Sequence, residues 1–291
     1  MKRRAPRPDE AQAVLDVIVA ADIANIGRPD CTLQDVRDDW ARPGLDVEAD
    51  VFVVEDDDGT IIGWADVDEV EARVTVHPAH VGRGVGTLLR MAVERRMRER
   101  GFVVQQGIAS ANRAAAEHLR AAGWERVQTY QRMRADLRAT ALAAPPPGVE
   151  RVRRFDLAAE AQALHELIET AFSEIAFNAA QSFASWHAEV TARSELEFRL
   201  ALDDEQGLVA TAIGQRWEDG VGYVSRIAVA PRARGRGHGR AVLLTLLDAF
   251  RTAGLTTAEL SVAGTNMPAT GLYESVGMTF DSASERWRLV T

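Results

Sequence analysis

Apolar residues recur at helical spacing over positions 9–27 (Ala13, Val14, Val17, Ile18, Ala21), and Gly27 supplies a stop. The pattern predicts a helix there and a shorter one over 33–40, after which Pro43 and Gly44 break the chain. The period then changes from 3.6 to two. Residues 51–55 and 61–67 read as the strands of a hairpin closed by Asp56-Asp57-Asp58-Gly59. A strand over 72–78 runs into Val81-Gly82-Arg83-Gly84-Val85-Gly86 and a helix over 87–100, which Gly101 ends. A strand over 102–108, a helix opened by Asn112 and stopped at Gly123, and a strand over 127–137 follow.

The order of parts then begins again. Helices are expected over 158–172 and 183–191, strands over 196–202 and 208–215, and a strand leading into Pro231. A helix stopped by Gly254, a strand over 257–262, a helix opened by Asn266 and ended at Gly277, and a strand over 280–290 complete it. Val76 and Val229 lie 153 positions apart, as do Pro78 and Pro231, Gly84 and Gly237, and Gly101 and Gly254; Asn112 and Asn266 lie 154 apart, as do Gly123 and Gly277. Turn glycines, helix stops and helix caps in one register mean two domains rather than a solenoid of short units. The expected division is 1–140, a proline-rich linker over 141–148, and 149–291.

The chain's most informative stretch is 224–240, a buried strand, a basic glycine-rich turn and a strongly apolar helix. Gly235, Gly237 and Gly239 strip side chains from the turn, so backbone N–H groups can crowd around an anion. The following helix adds the positive end of its dipole, and Arg234, Arg236 and Arg240 add cations. A dinucleotide fingerprint requires a third glycine three residues after the second, and a P-loop requires Gly-Lys-Ser/Thr; neither is present.

Arg234, Gly237 and Gly239 match the Arg/Gln-x-x-Gly-x-Gly/Ala motif, and Asn266, Ala269, Leu272, Tyr273, Gly277 and Met278 match a second signature apart from Met for Phe. On these motifs and the repeat, the chain resembles the GCN5-related N-acetyltransferases (GNAT superfamily), and its tandem form is similar to the mycothiol-synthase-like group. The resemblance implies an α/β (α+β) fold of two tandem domains. Each would hold a mixed, mostly antiparallel sheet with helices on both faces and a splayed central strand pair.

The same resemblance implies acetyl-CoA as cofactor and an acetyl group moved to a primary amine by direct attack in a ternary complex. The pantetheine arm would pair with Ile227, Ala228 and Val229, and the diphosphate would rest on Arg234, Gly235, Arg236, Gly237, His238, Gly239 and Arg240. Asn266 would cap the helix that carries Tyr273, whose phenol protonates the departing thiolate. A non-catalytic acyl-CoA-binding module is the alternative class. A mycothiol-precursor amine is the alternative acceptor within the enzyme class.

The N-terminal half departs from the pattern. Val81 stands at the Arg/Gln position and Leu119 at the tyrosine position, although Val76, Gly82, Arg83, Gly84, Gly86 and Thr87 retain a possible coenzyme cradle. It is expected not to catalyse. The general base is open as well: where the mycothiol-synthase-like group has a carboxylate this chain has Tyr223, a poor base. Glu218, Asp219 and Glu259 are the nearby acids. Acceptor contacts are expected near 174–182 and 281–287, with Phe177, Phe183, Trp186 and Trp217 as possible walls.

Composition narrows the setting. Lys2 is the only lysine, and the net charge of −9 argues against nucleic acid as a partner. The basic N-terminus has no apolar run behind it, no segment approaches membrane-spanning length, and the lone Cys31 permits no internal disulfide. A cytoplasmic protein is expected, monomeric or homodimeric, with a small-molecule or peptide amine as partner, no membrane association and no bound metal.

Overall fold

The computed structural model describes residues 1–42, 44–138, 151–173, 181–192, 198–217 and 220–290. Pro43, the 141–148 linker, Phe177 with most of its loop, Glu218 and Asp219 lie outside the described residues.

Two compact units form, one of residues 1–130 with 282–291 and one of 131–281. In chain order the first half contributes β1 (Lys2–Arg4), α1 (Ala11–Ile26), α2 (Leu33–Trp40), α3 (Val47–Asp50), β2 (Val51–Glu55), β3 (Ile61–Val67), β4 (Ala72–Val76), α4 (Val85–Glu99), β5 (Gln105–Ala109), α5 (Arg113–Ala121) and β6 (Trp124–Asp136). The second half contributes β7 (Val152–Arg154), α6 (Leu157–Phe172), α7 (Phe183–Ala192), β8 (Phe198–Asp204), β9 (Gly207–Arg216), β10 (Val221–Val229), α8 (His238–Thr252), β11 (Thr257–Ala263), α9 (Met267–Glu274) and β12 (Thr279–Leu289). Among the described residues no helix is long and apolar enough to cross a membrane.

In the first unit the strands run β1-β2-β3-β4-β5-β12. All neighbours whose register is resolved there are antiparallel except β4 with β5. Both faces are covered, which is why β2 reads as an unbroken apolar run. Val51 and Val53 pack with Val14 and Val17 of α1, whereas Phe52 and Val54 pack with Leu89 and Val93 of α4. Thr32 starts α2 through a reciprocal box: its Oγ1 accepts from Asp35 N at 3.2 Å, and Asp35 Oδ2 accepts from Thr32 N at 2.8 Å.

The second unit repeats the plan as β7-β8-β9-β10-β11 followed by the end of β6. Its core gathers α8 (Val242, Leu243, Leu246, Leu247, Phe250) and α6 (Leu164, Ile168) around the sheet. Gly214 and Gly222 admit the Phe250 ring, since a Cβ on either would lie 2.5 or 2.4 Å from it.

The units differ from the sequence division at 140 and 149 in two respects, the first being that the end of β6, from Gln131 on, belongs with the second half. Residues 282–291 belong with the first half, where Ser284–Arg288 pair with Gln105–Ala109 and Trp287 is buried in the core. A strand's alternation fits either sheet, so the repeat alone carries no sign of this exchange. The strand expected over 102–108 begins at Gln105, and the glycine turns and the helices of the repeat lie close to where the pattern puts them.

Candidate active site

Two strand pairs open in the same way. In the second unit β10 pairs in parallel with β11 only through Val221↔Thr257, Gly222↔Ala258 and Tyr223↔Glu259, although both strands continue. In the first unit β4 and β5 pair only at Ala72↔Gln106 and Arg73↔Gly107. Beyond these points each pair separates, leaving one edge of Ile227, Ala228 and Val229, and of Val76, without a strand neighbour among the described residues.

The two openings are built differently. The β9–β10 register shifts between Val224 and Arg226, so Ser225 is a bulge; β4 runs against β3 without a shift. The bulge flips the alternation. Gly222 meets Phe250 of α8 before it, and Val229 meets the start of α8 after it. Tyr223, Arg226 and Ala228 therefore share the other face, toward α6.

At the end of β10 a turn of 3₁₀ helix (Pro231–Ala233) leads into the glycine turn. Gly235 and Gly237 sit at φ +75° and +85°, where a side chain would be strained, and Gly237 caps α8. Among the described residues the amides of Gly235 to Arg240 donate no hydrogen bond within the protein; the first helical bond runs from Ala241 N to Gly237 O at 2.9 Å. A row of unused donors at a helix N-terminus suits a diphosphate. Gly239 keeps the approach narrow, because a Cβ there would lie 3.3 Å from Val229 Cγ2 and Leu272 Cδ2.

The arginines around the turn are partly committed. Arg234 Nη2 donates to Ala171 O at 3.1 Å, and Arg240 Nη1 donates to Ser275 O and Oγ at 3.0 and 2.6 Å. Arg232 is ion-paired with Asp204 at 2.5 Å. Arg236 is exposed, with no ion pair or hydrogen bond among the described residues, and so offers a mobile cation.

Asn266 opens α9, its Oδ1 accepting from Ala269 N at 3.2 Å, with Pro268 in the first turn where proline is tolerated. The helix presents Tyr273, half-buried, with a hydroxyl that makes no hydrogen bond among the described residues. Burial, and secondly the neighbouring Tyr223, push its phenol up to about 12. A phenol so raised is protonated at neutral pH and can serve as a proton donor.

Tyr223 ends the paired part of β10 and stacks on Trp217, ring centroids 4.0 Å apart and 7° from parallel. Glu259, opposite it on β11, is buried and held by Arg134 at 3.3 Å and Arg132 at 4.0 Å. A carboxylate between two guanidinium groups is a structural ion rather than a free base. Phe183 and Trp186 do not form an open wall: they pack around His165, with centroids 5.6 and 5.4 Å from its ring, and Trp186 is core. Trp287, expected at the acceptor side, lies in the first unit's core.

The first unit keeps the cradle and loses the phenol. Gly82 and Gly84 have φ +83° and +87°, and among the described residues the amides of Gly82 to Thr87 donate no hydrogen bond. Val81 is exposed, and Leu119 is 1% exposed in the core. His118 faces Arg90, whose Nε donates to its Nε2 at 3.3 Å; burial and then Arg90 depress its pKa.

On the other face of this unit stands an ion network that sequence reading does not reveal. Arg73 of β4 lies across from Asp66 of β3, donates to both its carboxylate oxygens, pairs with Asp39 at 2.7 Å, and lies over the Trp64 ring at 5.3 Å. Cys31 nearby is half-buried, its thiol pushed up to about 12 by burial and the surrounding acids. No group of metal-ligating side chains is found among the described residues.

Comparison with known proteins agrees with this architecture. The profile of the Acetyltransferase (GNAT) family matches residues 20–124 and 161–278. A mycothiol acetyltransferase of Beutenbergia cavernae is 32% identical over 265 residues, 82% of each chain, and one of Thermomonospora curvata 31% over 237 residues, 77% of each. A GCN5-related N-acetyltransferase from Sphaerobacter thermophilus superposes with a TM-score of 0.83 at 27% identity, covering 99% of this chain and 94% of that one. A tandem GNAT protein from the clavulanic acid biosynthesis pathway shares the fold with a TM-score of 0.70 at 18% identity, covering 98% and 97%.

Proposed function

The chain belongs to the GNAT acetyltransferase family and is an N-acetyltransferase; on that premise we propose that its second unit alone carries the reaction, moving acetyl from acetyl-CoA to a small-molecule amine by direct attack. The observation that carries this reading is Tyr273, a half-buried phenol with no hydrogen-bond partner among the described residues, close to Tyr223 of the opened strand pair. The curated relatives at about this length are named mycothiol acetyltransferases, which supports a small amine as acceptor.

Acetyl-CoA, when bound, supplies an acyl carbonyl on a thiol leaving group. The residues present fit it. The amides of Gly235 to Arg240 and the free Arg236 would hold the diphosphate, and the unpaired edge of Ile227, Ala228 and Val229 would hold the pantetheine arm. Holding the carrier still against a positioned amine accounts for much of the rate. Tyr273 would hand its proton to the departing sulfur, and the proton released by the attacking nitrogen would restore the phenol through solvent. With Tyr223 a phenol and Glu259 tied to arginines, the described residues hold no free carboxylate at the opening, so the amine is taken as its neutral form.

The test uses the full chain. Tyr273→Phe removes one oxygen that makes no hydrogen bond among the described residues, so acetyl-CoA affinity by calorimetry should stay near wild type while turnover, read as thiol release, falls about 100-fold. Turnover equal to wild type would remove Tyr273 from the mechanism, and no uptake of acetyl-CoA would remove the second unit's cradle.

A further inference from the structure

The two units place an arginine at the same point of the splayed strand. Arg73 sits three residues before Val76 and Arg226 three before Val229, each facing away from the helix that follows the glycine turn. Their cross-strand partners differ. Arg73 faces the buried carboxylate of Asp66, whereas Arg226 faces Ile213.

In the second unit the row continues to a second arginine, for Ile213 pairs in turn with Arg199 on β8. Two guanidinium groups thus flank one isoleucine on one face, about 10 Å apart at their Cα atoms by strand spacing. Neither has an ion pair among the described residues. Arg226 is exposed and bonds only its neighbour's carbonyl, Ser225 O, at 2.9 Å. Arg199 leaves its Nε buried without a partner.

Two further polar atoms are stranded on this stretch. The bulge turns Ser225 so that its Oγ is buried and unpartnered, and Gln215, 7% exposed and opposite Tyr223, leaves Oε1 without a partner. Buried polar groups left unpaired in a folded protein call for an occupant.

Resting on the acetyltransferase reading, we propose that Arg226 and Arg199 bind an anionic group on the acceptor, so that the substrate is an amine carrying a carboxylate or phosphate. Asp66 shows inside the first unit what the ligand supplies in the second: an anion across from the strand arginine. Guanidinium forks match both anions in two-point geometry. The sequence's excess of acid would suit a cationic amine, but at this opening the local charge is positive and outweighs a net charge spread over the surface.

The experiment compares wild-type protein with Arg226→Gln, Arg226→Lys and Arg199→Gln. The probes are an α-amino acid, its methyl ester, and an aminoalkyl phosphate with its dephosphorylated alcohol. The quantity read is the ratio of kcat/KM between each anionic amine and its neutral counterpart, in which differences of intrinsic amine reactivity cancel between proteins. Arg226→Gln should reduce that ratio at least 10-fold, mainly through KM, with partial recovery in Arg226→Lys and a smaller fall in Arg199→Gln. Whichever pair shows the larger ratio identifies carboxylate or phosphate. An unchanged ratio in Arg226→Gln, or a wild type that prefers the neutral partner of both pairs, overturns the proposal. If no amine releases thiol, calorimetry of the same amines on the acetyl-CoA complex still decides: anionic amines bound by wild type and lost in Arg226→Gln support the anion site while the transferase reading fails, and equal binding refutes the anion site.

Discussion

The two units share a splayed strand pair, a glycine turn and a helix dipole, and they part at the acceptor face and at one helix position. In the first, Leu119 closes the core where Tyr273 stands in the second, and Asp66, Asp39 and Trp64 surround the arginine that the second leaves free. A duplicated fold can thus keep its glycine turn and opened strand pair in both copies while the face behind them is filled in one. What separates the open cleft from the filled one is a few side chains that either finish their own contacts or leave them open.

The sharpest way to break this comparison is to cut the halves apart. A fragment of residues 149–291 lacks the end of β6, which belongs to its unit, and carries a final strand that belongs to the other. It is expected not to fold, read as loss of a cooperative transition by circular dichroism; a folded, coenzyme-binding fragment would restore the sequence division. Next in size is Tyr273→Phe, with its loss of about 100-fold in turnover, against no measurable change for Leu119→Met in the first unit.

The third test is pH. With the Tyr273 phenol lifted to about 12, turnover should show no loss of the acid form between pH 7 and 10. The raised value also means that the phenol's contribution to stability is complete below its unfolded pKa of about 10 and fades as pH climbs to about 12. A descending limb near pH 8 that disappears in Tyr273→Phe would contradict the burial seen here.

Smaller again is Asp66→Ala, which strands Arg73. About 2 kcal/mol of stability should be lost by urea denaturation, below the ~3–5 kcal/mol of a fully buried pair, because the Arg73 side chain keeps 38% of its exposure. The smallest effect is expected from Gly237→Ala, about 1 kcal/mol for a left-handed cap, with weaker acetyl-CoA binding in the second unit only.

Much of this was legible in the residues themselves. Asn112 and Asn266 cap where the repeat puts them, the turn glycines take left-handed angles, and the helices of both halves fall at their apolar stripes. β1 and β7 were not legible: they are short basic edge strands, Lys2–Arg4 and Val152–Arg154, held by backbone pairing and lacking any alternation of apolar residues. The pairing of Arg73 with Asp66 depends on hairpin register, and the freedom of Arg226 depends on a one-residue bulge. Neither leaves a composition or spacing signal. The acceptor wall was misjudged for a related reason, since Trp186 and Trp287 are large enough to fill cores that the pattern alone cannot assign.

The exchanged end strand also sets a timetable. Ser284 meets Ala109 across most of the polypeptide, so the sheet that is made first waits for residues 284–288 before its outer row closes. Until those residues leave the ribosome, β5 offers an open edge beside Trp124 and Ile108, the kind of surface that chaperones and stray strands seek. A ribosome stopping after residue 281 would spare every residue of the proposed catalytic cleft and still deprive the opposite half of its keystone.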